Sequence, residues 1–265
     1  MDGVLADMDA ALARIAEQEF GVTVKAPSGE LPSTSLRPGK PPGDDGRKAD
    51  DGRKADEEEN GDTGGDESQG PPPGYDAAVL SALSARQQMR LWQRVRDTRN
   101  FWETLGECEP GTVRRIQKLA HELRWDVLFV TQRPSSAGRT PQLQSQHWLR
   151  RHGFEYPAVY VTQGSRGRIA ASLTLDAHID DRLDNCLDVA SDSKAWPILV
   201  WRDAESVGRI RAGATNLGIA VVRTVGEALD KIEQADRAAS QQEQPTLVDR
   251  LRRAFKAGSK DPASI

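Results

Sequence analysis

The sequence predicts an α/β protein: a doubly wound parallel sheet with a small helical cap. Three observations predict it. Short apolar runs without alternation, such as Asp126-Val-Leu-Phe-Val-Thr131, mark strands covered on both faces. Stretches with apolar residues three and four apart mark helices between those runs. Strands that alternate with helices generate a parallel sheet wound with helices on both sides.

The elements follow in order. Leu5, Met8, Leu12 and Ile15 predict a helix over 5–19. Val79, Leu80, Leu83, Met89, Trp92 and Val95 outline one or two more helices. Val113, Ile116, Leu119, Ala120 and Leu123 outline another, opened by Pro110-Gly111-Thr112 with Thr112 as the expected N-cap. After the 126–131 strand, further strands are expected at 158–162, 177–180, 197–201 and 219–222, with helices at 141–152, 165–173, 205–217 and 225–237. Leu247, Val248, Leu251 and Phe255, with Arg250, Arg252 and Arg253 on the polar side, suggest a short amphipathic helix in the tail.

Composition sets limits. Charged residues make up 29% and apolar residues 37% of the 265 residues, an imbalance that is local. Residues 26–74 hold 10 Gly and 8 Pro, and their only larger aliphatics are Leu31 and Leu36. Such a stretch buries too little apolar surface to offset its ordering entropy, so a disordered insertion is expected. It contains a tandem repeat, Asp45-Gly-Arg-Lys-Ala-Asp50 followed by Asp51-Gly-Arg-Lys-Ala-Asp56, far shorter than a solenoid repeat. Between Gly43 and Glu67, 11 acidic and 4 basic residues give a local charge of -7, which would repel a nucleic-acid polymer. Two distant cysteines, Cys108 and Cys186, fit reduced thiols, and no run is apolar enough for a membrane span; a cytoplasmic protein is expected. The expected organisation is a core start with the first cap helix at 1–20, the insertion at 21–75, the helical cap at 76–110, the core at 111–237 and a flexible tail at 238–265.

In wound parallel sheets, ligands bind at the carboxyl ends of strands. Three loops there carry suitable groups: Met1-Asp2-Gly3-Val4-Leu5-Ala6-Asp7, Thr131-Gln132-Arg133-Pro134 and Asp180-Asp181-Arg182. Paired carboxylates beside a phosphate call for a hard cation with oxygen ligands, such as magnesium. A hydroxyl and a basic side chain can then hold phosphoryl oxygens while a carboxylate attacks phosphorus. His147, His152 and His178 have no partner at metal-ligand spacing and read as structural.

Asp2-Gly-Val-Leu-Ala-Asp7, Phe129-Val-Thr131 and Ile179-Asp180-Asp181-Arg182 resemble three of the four signature loops of the haloacid dehalogenase superfamily. The nearest branch is the 5′(3′)-deoxyribonucleotidase-like group. Asn100-Phe101-Trp102-Glu-Thr-Leu105, followed by Glu109-Pro110-Gly111, is similar to the end of its helical cap. The resemblance covers about 1–20 and 76–190 and implies a magnesium-dependent phosphomonoester hydrolase working through an aspartyl phosphate, with a small phosphorylated substrate, nucleoside monophosphates first. It implies that Asp2 is the general acid/base and offers its backbone carbonyl to the metal, that Thr131 binds phosphate, and that Asp180 and Asp181 hold Mg2+. Phe101 and Trp102 match the part of the cap that faces the substrate in that group, and Gln132 and Arg133, in the strand-end loop with Thr131, are further candidate substrate-binding residues.

Two positions depart from the pattern. The family's lysine falls on Arg166, within Gly164-Ser165-Arg166-Gly167; it keeps the charge with a different geometry, and Ser165, Arg168 or Arg133 are the alternatives. The nucleophilic aspartate falls two residues before Asp2, outside this numbering, so an upstream strand ending in Asp is expected. The competing expectation is a catalytically inactive relative that binds phosphate or a partner.

Overall fold

The computed structural model describes residues 1–23 and 78–243. The expected insertion with its repeat and the expected tail helix at Leu247–Phe255 lie outside the described residues.

Helix α1 (Met8–Phe20) begins three residues later than the apolar spacing predicts. Asp7 sets that start: its carboxylate accepts the Ala10 N–H at 2.9 Å, so Leu5 and Ala6 stay in the preceding loop. Helices α2 (Ala78–Ser81) and α3 (Ala85–Asp97) follow the expected pair, and Ser84 and Gln87 cap α3 reciprocally. Leu91, Trp92 and Val95 of α3 are buried against the core that holds Met8, Leu12 and Ala16 of α1. A 3₁₀ turn at Phe101–Glu103 leads into α4 (Thr112–Leu123). Thr112 is not its cap. Gly111, at φ 87°, takes that place, and the Glu107 carboxylate accepts the N–H groups of Gly111 and Val113 at 2.8 and 3.0 Å.

Beyond α4 the strand–helix alternation is as expected, with β1 (Leu128–Thr131), α5 (Pro141–Arg151), β2 (Ala158–Val161), α6 (Arg166–Ser172) and β3 (Ala177–Asp180). Then come α7 (Leu183–Asp192), β4 (Trp196–Val200), α8 (Val207–Thr215), β5 (Ala220–Val222) and α9 (Val225–Glu243). Helix α7 was not anticipated from the sequence.

Among the described residues all strand pairs are parallel, and they form two ladders, β1–β2 and β3–β4–β5. Alternating residues of β4 serve two cores: Ile198 and Val200 join the main cluster with Val225, Ala228 and Leu229 of α9, while Leu199 joins Cys186 of α7 and Ala214 of α8. The three-stranded ladder is therefore covered on both faces. The loop Met1–Asp7 touches both halves. The Met1 ammonium donates to the Val130 carbonyl of β1 at 3.2 Å, and Arg202, just after β4, donates to the carbonyls of Gly3 and Val4 at 2.5 and 3.0 Å. No helix among the described residues is long and apolar enough to cross a membrane.

Candidate functional site

The Met1–Asp7 loop folds on itself. Leu5 and Ala6 donate to the Met1 carbonyl at 2.8 and 3.1 Å, and Gly3 donates to Ala6 at 3.0 Å. Gly3 is required twice over: its φ is +71°, and a Cβ there would lie 1.8 Å from Oδ2 of Asp181. This close approach sets the end of β3 against the loop. Outside the loop, Arg202 also bonds Glu109 at 2.9 Å, and Glu109 in turn accepts the N–H groups of Val225 and Gly226 that open α9. The sequence does not show this pairing, because the partners lie between about 90 and 200 positions apart.

Asp2 is the centre of the first cluster. Arg133 Nε lies 2.9 and 3.1 Å from its two carboxylate oxygens, Arg133 Nη2 lies 2.6 Å from Oδ1, and Thr131 Oγ1 donates to Oδ2 at 3.0 Å. The Arg133 side chain is fully buried. Its Nη1 donates to Ser145 Oγ at 2.9 Å, and its guanidinium carbon sits 5.2 Å from the centroid of the Trp102 ring. Burial works to raise the Asp2 carboxyl, but the Arg133 charge and hydrogen bonds, with the Met1 ammonium and Thr131, outweigh it and hold the group below its ordinary value.

Asp180 and Asp181 form the second cluster. Asp180 accepts the Arg182 N–H at 2.9 Å and both oxygens accept from Asn185 Nδ2 at 3.0 Å, while His178 Nε2 lies 3.2 Å away. Burial opposes ionisation of Asp180, but His178, the Met1 ammonium and Asn185 bring its carboxyl down to about 2. Asp181 goes the other way: burial and the charge of Asp180 push it up to about 7. The sequence offered a signal for His178, which lies two residues before Asp180 on the strand and so on the same face; Asn185, a turn into the unanticipated α7, had none.

Arg166 opens α6 and is 5% exposed. Its Nη1 donates to the Gly164 carbonyl at 3.2 Å. Burial lowers its affinity for the proton, and the negative charge of Asp180 raises it, so Arg166 lies within electrostatic reach of the second cluster. Gln132 is half-buried, and its carbonyl accepts from Gln163. Phe101 and Trp102 are core residues, packed edge to face at 5.1 Å. Trp102 spends its ring N–H on the Pro134 carbonyl at 2.9 Å and reaches the site only through Arg133.

The structure thus brings Asp2, Thr131 and Arg133 together, and Asp180, Asp181 and Arg166 beside them. Among the described residues, no group of three or more His, Cys, Asp or Glu is arranged to hold a metal. The Asp2 carboxylate bonds Arg133, because a planar guanidinium buried at 2.6–3.1 Å satisfies both of its oxygens. No protein-family model, curated protein or solved structure matches this chain.

Proposed function

We propose that this chain carries the phosphate site of a magnesium-dependent phosphomonoester hydrolase of the haloacid dehalogenase type, built on a doubly wound core and acting on nucleoside monophosphates first. The observation that supports it is the meeting of three chain segments: Asp2 with Thr131 at the end of β1, and Gly3 with Asp181 after β3.

Burial first, and then the charge of Asp180, push Asp181 up to about 7, and a divalent cation would offset both by supplying positive charge to the pair. Magnesium suits this donor set, since it binds through one or two carboxylates and retains waters. Asp180, Asp181 and the Asp2 carbonyl would hold it, and it would supply charge neutralisation at the phosphoryl oxygens. The rest falls to the chain. Arg133 keeps Asp2 ionised at neutral pH, the state that accepts a proton from an attacking water. The Thr131 hydroxyl, now donating to Asp2, is the donor available to a phosphoryl oxygen at the end of β1. Arg166 adds a buried cation beside the acidic pair.

A second reading, an inactive phosphate- or partner-binding relative, has its own support: Asp2 is already saturated by Arg133, and Asp180 by Asn185, His178 and the Arg182 N–H. The test is phosphate release from nucleoside monophosphates by protein isolated from its native source. The hydrolase reading requires turnover that disappears on chelation and in Asp180→Asn or Asp181→Asn. Full activity in both variants and after chelation sinks the metal assignment; phosphate binding without turnover favours the second reading.

A further inference from the structure

We infer that a cleft on the outer side of α5, lined by Glu103, Arg139, His147, Arg150 and Arg151, is a binding site for a multiply charged oxyanion, namely a phosphate group. The inference is independent of the hydrolase reading, because none of the residues around Asp2 lines the cleft.

Its origin is visible in the chain. From Val127 to Phe154 there are four arginines, two histidines and no acidic residue. Arg133 is consumed by Asp2. The other three arginines and His147 are gathered by α5 and the loop before it around a cavity of about 600 Å³. A single carboxylate stands among them. Glu103 is only 10% exposed at its side chain, and it is shared by Arg139 Nη1 at 3.2 Å, His147 Nδ1 at 3.4 Å and Arg151 Nη2 at 3.6 Å. Arg151 also donates to the Glu103 carbonyl at 3.0 Å. No carboxylate among the described residues lies within 4 Å of Arg150. Three arginines less one glutamate leave a formal +2 with His147 neutral.

The cations stand on an anchored scaffold. The Asn100 side chain accepts the Arg139 N–H at 2.9 Å, and Asn100 N–H donates to Ala137 at 2.7 Å. Gly138 between them sits at φ +100° and against Asn100, so the loop has no room for another residue there. Trp148, fully buried, ties α5 to the Leu105 carbonyl at 2.8 Å. The anchored backbone holds the bases of these side chains in place, and paired guanidinium N–H donors match the oxygens of a phosphate, which a spherical halide lacks. A dianionic phosphate also cancels the +2 that Glu103 leaves.

The test is a titration of inorganic phosphate into the intact, metal-free protein in chelator, at constant ionic strength set with chloride, read at the His147 imidazole by NMR. The local readout separates this cleft from the Asp2 region, so either site can fail alone. A saturable shift in the millimolar range is expected. The Arg139→Ala/Arg150→Ala variant should weaken it about tenfold or more, and Arg150→Ala alone, which removes no ion pair seen here, should weaken it while leaving the fold intact. An unmoved His147 resonance, a shift that chloride reproduces, or equal affinity in the double variant would overturn the assignment.

Discussion

Replacing Arg133 by alanine should be among the most damaging single changes in this protein, for a reason that is worked from its surroundings. The side chain is fully buried and the Asp2 side chain is 10% exposed. Removing the guanidinium takes away the contacts to both Asp2 oxygens, the bond to Ser145 and the stacking on Trp102, and leaves a buried carboxylate with the Thr131 hydroxyl. Breaking one side of a buried ion pair costs about 3–5 kcal/mol. Against a total stability of about 5–15 kcal/mol, that is a large share. The reverse half of the argument is as important. Arg133→Met combined with Asp2→Asn removes both charges at similar volume, so the pair should recover most of what Arg133→Met loses. Urea unfolding followed by tryptophan fluorescence measures both, with the midpoint shifting at constant slope. A loss below about 1 kcal/mol for Arg133→Ala, or a double variant no better than Arg133→Met, would show that the pair is not the buried, coupled unit described here.

Three further outcomes are expected. Gly167→Ala should cost about 1–3 kcal/mol, because its Cβ would meet the Asp188 carbonyl oxygen at 2.2 Å and the Asp192 Cβ at 2.7 Å, forcing α6 and α7 apart; thermal melts give the value. Burial works to raise the Asp188 carboxyl, but the Gly167 N–H, the Ser165 hydroxyl and Arg166 hold it below its ordinary value. Its stabilisation is therefore present above pH about 3.8 and lost as pH falls through the lower folded value. Asp188→Asn should remove about 1 kcal/mol at neutral pH and flatten that acid limb in a stability–pH profile. Finally, burial, against the pull of Arg202 and helped by Asp7, Asp181 and Asp9, pushes the Cys108 thiol up to about 12. Iodoacetamide at pH about 8 should alkylate it in urea and hardly at all in the native protein, as followed by mass spectrometry.

The strands were legible because each is a short apolar run bounded by polar residues, and the run survives in the structure nearly residue for residue, as at Ala177–Asp180. Helix α7 was hidden. Leu183, Cys186, Leu187 and Val189 have helical spacing, but Asp184, Asp188 and Asp192 interleave them straight after an acidic strand end and mask the periodicity. Capping of α4 was misplaced for a related reason: the cap comes from Glu107, upstream of the helix, and not from the hydroxyl at its mouth. At the site, residue types at strand ends identified Asp2, Thr131, Asp180 and Asp181. Their partners did not follow. Arg133 read as a substrate contact, and only the approach of the Met1–Asp7 loop to the end of β1 makes it the counter-ion of Asp2. Phe101 and Trp102, read as pocket residues, are buried because the 3₁₀ turn that carries them packs between α5 and the main core.

The division into two ladders has a consequence for how the native protein opens. Among the described residues, β4 alone is flanked by a strand on each side; β1 and β3 each pair with one strand, and the outer edge of β1 receives the Met1 ammonium at Val130. Amide hydrogen exchange should therefore be graded among the strands, slowest at Ile198–Val200 and faster in Leu128–Thr131. The residues that span the two ladders, Met1 through Val4, then act as a latch. Their amides should exchange together with those of β1, reporting the moment at which the Asp2 and Asp181 clusters separate.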